Sequence, residues 1–324
     1  MAYIDINGNE YNSLEDIPEG AVFSNWRIRG ISFTELPKKI STLTIKYFHV
    51  EQCRELISLR GLPKGLDTLY CWDNINLTSL EGLPEGLKEL DCNGSGVTSL
   101  KGLPKGLEKL HCWNCRRLTS LKWLPEGLKE LNCRDTNIAS LEGLPQGLKK
   151  LNCVRCKNLT SFRGIPEGLE KLTCWGLSIT SLEGLPKGLV ELDCADMRIT
   201  SLKGLPKGLK KLDCHRTCIN SLEGLPQGLE RLVCSHTNIV SLKGIPNSLK
   251  TLCCSDTHIT SLEGVPRGIK NIDCEGCDKL KYIPDYIPDN VIRGLSQEKI
   301  AKCKVNWKKE QEKKAAMVNR FMGR

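Results

Sequence analysis

The sequence predicts a curved β-solenoid of parallel strands, and three observations carry that prediction. Prolines recur every 20 or 21 residues through Pro63, Pro84, Pro104, Pro125, Pro145 and on to Pro266. Each interval repeats one pattern, S-L-x-G-L-P-x-G-L-x-x-L-x-C-x-x-[T/S/C]-x-I-T, as in Ser181 to Thr200 or, one residue longer, Ser140 to Thr160. A unit this short cannot bury an apolar face by itself, so successive units must stack and share a core.

At the N-terminal end, Asn7-Gly8 between alternating apolar residues signals a hairpin with a two-residue turn, placed to cover the first edge of the stack. Two degenerate units follow. Phe23, Trp26, Ile28, Ile31 and Phe33 fit the apolar spacing, and Ile40, Leu43 and Ile45 fit it again after Leu36-Pro37. Aromatic replacements and the long interval from Pro37 to Pro63 suit end units, which have one neighbour to satisfy instead of two. Residues 1–57 are therefore read as hairpin and capping repeats; a functional insertion around Lys46 to Leu56 is the sharper alternative.

Residues 58–281 form the regular array, read as one domain because a repeat stack grows along one axis. Within each unit L-x-x-L-x-C places residues such as Leu87, Leu90 and Cys92 on one side, where equivalent residues of neighbouring units make continuous ladders. This is the leucine-rich-repeat pattern. A short strand pairs in parallel with its neighbours, and G-L-P-x-G turns the chain back across the opposite face.

Residues 282–295 read as a terminal partial unit. Ser296-Gln-Glu then opens a helix over 296–324 with an N-cap and a first-turn acid. That segment carries nine Lys/Arg against three Glu, most of the chain's net charge of +9. Ile300, Cys303, Trp307, Met317, Val318 and Phe321 supply apolar contacts to a capping helix. Lys302, Lys304, Lys308, Lys309, Lys313 and Lys314 make the alternative, a tail for an anionic partner such as nucleic acid.

The chain contains 18 cysteines, and eleven of them, from Cys71 to Cys274, occupy one ladder column. They replace an aliphatic residue and are expected to be buried and reduced, as suits a cytoplasmic protein. Cys112/Cys115, Cys153/Cys156 and Cys274/Cys277 are CxxC pairs, a spacing that elsewhere signals zinc. Here the first cysteine is the ladder residue, and the second falls where other units carry Thr, Ser or Asn able to satisfy turn backbone. Neither a metal nor a cofactor is expected. The five histidines lack the partner and oxyanion groups that nucleophilic catalysis needs, so the chain is read as no enzyme. No apolar run is long enough for a transmembrane helix, and the start lacks the pattern of a secretory signal.

Columns that vary while facing solvent are free to encode a partner. The two positions after the ladder cysteine, and the one before it, supply large aromatic and basic groups to the concave face. Three of the six tryptophans, Trp72, Trp113 and Trp175, share one of these columns. With Arg134, Arg155, His215, Arg216, Arg231 and His236 they form the expected partner-binding set, because exposed Trp beside Arg is the composition of interface hot spots.

The units L-x-x-L-x-C-x-x-T-x-I-T-S-L-x-G-L-P-x-G resemble the short bacterial leucine-rich repeat of the YopM- and IpaH-type effectors over residues 58–281. The resemblance implies a non-enzymatic scaffold that binds and modulates another protein, in the host-cell cytosol if delivered as an effector. The ligase members of that group add a large catalytic domain, whereas only about forty residues follow the array here, which leaves no room for that activity.

Overall fold

The repeat dictates a backbone with three assignments per turn: a three-residue strand, a left-handed corner after the cysteine, and a proline turn. A computed structural model describes residues 3–6, 9–11, 17 and 19–322. The chain forms two compact units, Met1–Leu177 and Ser178–Arg324. Turns in a repeat array touch only their neighbours, so such a division needs no second type of core.

The first unit contains β1 (Tyr3–Ile6), β2 (Asn9–Tyr11), β3 (Val22–Arg29), β4 (Thr44–Glu51), β5 (Thr68–Tyr70), β6 (Glu89–Asp91), β7 (Lys109–His111), β8 (Glu130–Asn132), β9 (Lys150–Asn152) and β10 (Lys171–Thr173). From β3 onward all pair in parallel and in sequence order. Asn7 and Gly8 lie outside the described residues, but β1 and β2 on either side pair antiparallel. Antiparallel pairing of β1 with β3 then closes the edge of the parallel strands. In the degenerate units Trp26 and Phe48 join the core, buried with ring centroids 5.2 Å apart, while Phe23 and Phe33 stay half-buried.

The second unit contains β11 (Glu191–Asp193), β12 (Lys211–Asp213), β13 (Arg231–Val233), β14 (Thr251–Cys253), β15 (Asn271–Asp273) and β16 (Ile292–Arg293), parallel in sequence order. Helix α1 (Gln297–Met322) follows. The Ser296 hydroxyl caps it by accepting the Lys299 backbone N–H at 3.2 Å. Ile300 and Cys303 are buried against the last turns, and Cys303 Sγ donates to the Leu280 carbonyl at 3.5 Å. No helix among the described residues is long and apolar enough to cross a membrane.

Each unit is a leucine-rich-repeat solenoid. The central strand leucines, for example Leu131 and Leu151, lie in register and are 2 % exposed. Each fully buried leucine contributes about 1.5–3 kcal/mol of transfer free energy. The ladder hydrogen bonds continue past the strands: Cys112 N–H donates to Asn132 O at 2.8 Å and Cys214 N–H to Val233 O at 2.8 Å. The thiols also act as weak donors to these carbonyls, Cys214 Sγ lying 3.4 Å from Val233 O and Cys194 Sγ 3.4 Å from Asp213 O. Cysteine in this column is thus more than a small hydrophobe, since an aliphatic side chain lacks that donor.

The CxxC pairs fit the sequence reading. Cys115, Cys156 and Cys277 each donate a thiol hydrogen to the ladder-cysteine carbonyl of the preceding turn at 3.1 Å. Thr217 and Thr237 occupy the same slot and donate to Cys214 O and Cys234 O of their own turns at 2.7 and 2.6 Å. Asn74 fills it with three bonds, donating to Val50 O and Cys71 O and accepting from Cys53 N, all at 2.8 Å.

Candidate protein-binding face

Two of the three columns expected to vary freely are partly set by the backbone. The second residue after each ladder cysteine is left-handed in every regular turn, with φ from +52° at Asp196 to +71° at Gly176. Its N–H reaches the next turn, as Asp73 N to Asn93 O at 2.7 Å and Arg155 N to Trp175 O at 3.1 Å. Glycine, asparagine and aspartate tolerate this conformation, and they fill the column as Asp73, Gly94, Asn114, Asp135, Gly176, Asp196, Asp256 and Gly276. Arg155, Arg216 and His236 are the departures, each at φ near +54° with a side chain the corner does not favour.

The residue before the cysteine also has a local task. Asp91, Asn132, Asn152, Asp193 and Asp213 accept the backbone N–H two residues on with a side-chain oxygen, at 3.0 to 3.4 Å. This is the Asx turn that aspartate and asparagine favour. Only the first residue after the cysteine is left without a backbone requirement, and even there Val154 and Ala195 are buried.

Within the first unit the structure brings the expected anchors together as arginine–tryptophan pairs. Arg134 lies over the Trp113 ring at 5.6 Å and Arg155 over Trp175 at 4.4 Å. Arg29, not singled out from the sequence, lies over Trp72 at 5.9 Å and donates to the Gln52 side chain at 3.1 Å. Trp113 is 38 % exposed. Between Trp113 and Trp175 lies a shallow cavity of about 230 Å³, lined by His111, Glu130, Asn132, Lys150, Asn152, Lys171 and Thr173. Lys150 pairs with Glu130 at 2.8 Å and Arg134 with Asp135 at 2.8 Å.

In the second unit the expected residues form a different set. His215 Nδ1 sits 2.7 Å from Asp213 Oδ1, and His236 Nε2 is 3.5 Å from Asp256 Oδ2. Arg216 and Arg231 are exposed. Before the ladder cysteines stand Asp193, Asp213 and Asp273, interrupted by Val233 and Cys253, and burial, with Asp213 nearby, raises the Asp193 carboxyl above its ordinary range. On α1, Lys308, Lys309, Lys313 and Lys314 are exposed, as is Lys302, whereas Lys304 is held by Asp289 at 2.5 Å and donates to Ile287 O at 2.8 Å. Lys304 thereby works in the cap.

Two features escaped the sequence reading. Glu51 is buried on the strand side, 3.0 Å from His49 and 3.4 Å from Arg27, with Tyr70 stacked on His49 at 4.3 Å. Only the folded register brings these residues together. Trp123 stands where ten other turns carry a left-handed glycine, at φ +76° and 66 % exposed. That departure from an unvarying column was visible in the sequence. Among the described residues no group of three or more His, Cys, Asp or Glu side chains is placed to hold a metal ion.

No protein-family model matches the chain, and no curated protein matches it. Solved structures do. YopM from Yersinia enterocolitica is 25 % identical with a TM-score of 0.58, over 79 % of this chain and 59 % of that one. The chain thus spans less than two thirds of that protein. An internalin, InlF, from Listeria monocytogenes is 14 % identical with a TM-score of 0.59, over 82 % of this chain and 87 % of that one. YopM from Yersinia pestis, described as a leucine-rich effector protein, is 24 % identical with a TM-score of 0.52, over 71 % of this chain and 77 % of that one.

Proposed function

We propose that the chain is a non-enzymatic recognition scaffold that binds a partner protein on the strand face of its first unit and modulates that partner by covering it. The observation that supports this most is the pair of Arg–Trp contacts, Arg134 on Trp113 and Arg155 on Trp175, at positions where the scaffold asks for neither residue type. Each exposed contact of this kind contributes about 0.5–1 kcal/mol within the fold, so folding alone does not account for them. Arg155 even occupies a left-handed corner at some conformational cost. Trp and Arg are the residues that carry most binding energy when an interface desolvates them. Trp72 extends the same column toward the N-terminal side.

Replacing Trp113, Arg134 and Trp175 together by Ala is expected to abolish recovery of the partner from lysate while leaving the melting transition in place. Unchanged recovery would move the interface elsewhere, and the first place to look is the His215, Arg216, Arg231 and His236 group of the second unit.

A second reading concerns α1. Beyond Trp307 the helix is mostly exposed, with Met317 at 64 % and Val318 at 55 %, and a free segment of this length is marginal as an isolated helix in water. Its lysines suit an anionic partner. Binding of a labelled single-stranded oligonucleotide should then weaken steeply with salt and vanish when Lys308, Lys309, Lys313 and Lys314 become Glu. A flat salt response removes this reading.

A further inference from the structure

The strand face of the first unit has a floor whose hydrogen-bonding polarity is fixed by the fold. Asn132 and Asn152 pair in register across β8 and β9. Their Oδ1 atoms accept the N–H groups of Arg134 and Val154 at 3.4 and 3.2 Å. Both residues line the cavity, and with the carbonyl end of each carboxamide committed to its turn, the Nδ2 end is the one left to donate to a ligand there. Thr173 continues the row, in register with Asn152. From β7 to β10 the surrounding strand and rim positions hold the cations of Lys109, Arg134, Lys150, Arg155 and Lys171 against the carboxylates of Glu130 and Asp135. At three of the corresponding positions in the second unit Asp193, Asp213 and Asp273 hold the same turn with a carboxylate in place of the amide.

Resting on the reading of this face as the partner-binding surface, we propose that its ligand is an extended acidic peptide segment laid across β7 to β10, its carboxylates taken by the Asn132 and Asn152 amides and the flanking cations. Four strands at a spacing of about 4.8 Å give a floor of roughly 14 Å, the length of about four extended residues. Trp113 and Trp175 stand at the two ends of that floor, where they meet apolar residues flanking the acidic ones. A peptide fits better than a nucleic acid, because Glu130 and Asp135 interrupt the cationic surface, and a continuous phosphate chain would meet both.

The test uses the full chain and two fluorescein-labelled pentapeptides, one with three aspartates between leucines and one with asparagines in their place. Anisotropy at low salt should show the acidic peptide binding about tenfold or more tightly than the amide peptide. Asn132→Asp with Asn152→Asp keeps both turns, as Asp193 and Asp213 show, but removes the donors and adds two like charges. The double variant should fold, by circular dichroism, and lose about tenfold or more in affinity for the acidic peptide. Equal affinity for the two peptides, or unchanged affinity in the double variant, overturns the proposal. So does tighter binding of a labelled oligothymidylate with the same sensitivity to the double substitution. If Trp113→Ala with Trp175→Ala abolishes partner recovery while Asn132→Asp with Asn152→Asp does not, the binding face stands and the acidic specificity falls.

Discussion

Between about pH 8 and pH 10 the folded chain is expected to lose on the order of 10 kcal/mol or more of stability and to unfold. The cause is the cysteine ladder. Burial raises the thiols of Cys71, Cys112, Cys153, Cys194, Cys214 and Cys234 well above their ordinary range, and pushes Cys274 up to about 12. Cys92, Cys133 and Cys254 move the same way through hydrogen bonds with Cys115, Cys156 and Cys277, reinforced by burial. An unfolded thiol gives up its proton near pH ~8.5, whereas these keep theirs, so above that pH the native state binds more protons and stability falls as pH rises. Each thiol costs on the order of 1–2 kcal/mol by pH 10, and their sum reaches the whole stability of an ordinary domain, about 5–15 kcal/mol.

Two thiols act in the opposite sense. Hydrogen bonds with Cys133 and Thr136 lower the Cys156 thiol, and those with Cys254 and Thr257 lower Cys277. Their contribution is present above the unfolded value and is lost as pH falls through the lowered folded values, and it is too small to offset the ladder. Far-ultraviolet circular dichroism against pH, in a phosphine reductant, should show a steep transition on the alkaline side. Cys214→Ala with Cys234→Ala should move its midpoint upward even though both changes remove packing at neutral pH. A chain that keeps its signal well above pH 10, with no shift in the double variant, would sink this account.

The fold was legible because every level of the sequence agrees on it: Leu131 and Leu151 hold the ladder, Pro145 accepts the N–H of Leu148 in its turn at 3.1 Å, and Ser296 caps the helix it was expected to open. The candidate site was half legible. Trp113 and Trp175 stood out because a tryptophan at a strand corner has no scaffold reason. Asn132 and Asn152 did not, because subtraction by column cannot distinguish a variable residue from one of two chemistries that serve the same turn. Aspartate and asparagine are equivalent to the corner and opposite to a ligand. The left-handed column misled in the other sense, since its apparent variety among Asp, Asn and Gly is a single backbone requirement. The Glu51 group was out of reach, because its meeting with Arg27 depends on strand register rather than on spacing.

At the glycine column of the proline turn, two substitutions should shift stability in opposite directions. Gly164 has φ +94°, and a Cβ there would sit 2.8 Å from the backbone of Leu141 and Glu142 in the preceding turn. Gly164→Ala therefore combines a left-handed penalty of about 1–2 kcal/mol with a backbone collision, and is expected to cost about 3 kcal/mol or more in urea unfolding. Trp123 already bears this burden. Its φ of +76°, against +95° at Gly102 and Gly143, shows the chain yielding to admit the side chain. With the ring 66 % exposed, little burial offsets the strain, and Trp123→Gly should raise stability by about 1–2 kcal/mol. A neutral or destabilising Trp123→Gly would mean that the indole packs well enough to repay the corner it distorts. Partner recovery should survive this substitution, because Trp123 lies in the turn segment and not in the strand columns that hold Trp113 and Trp175. If recovery falls while stability rises, the strain at Trp123 is retained for binding, and the interface extends past the strand face onto the turns.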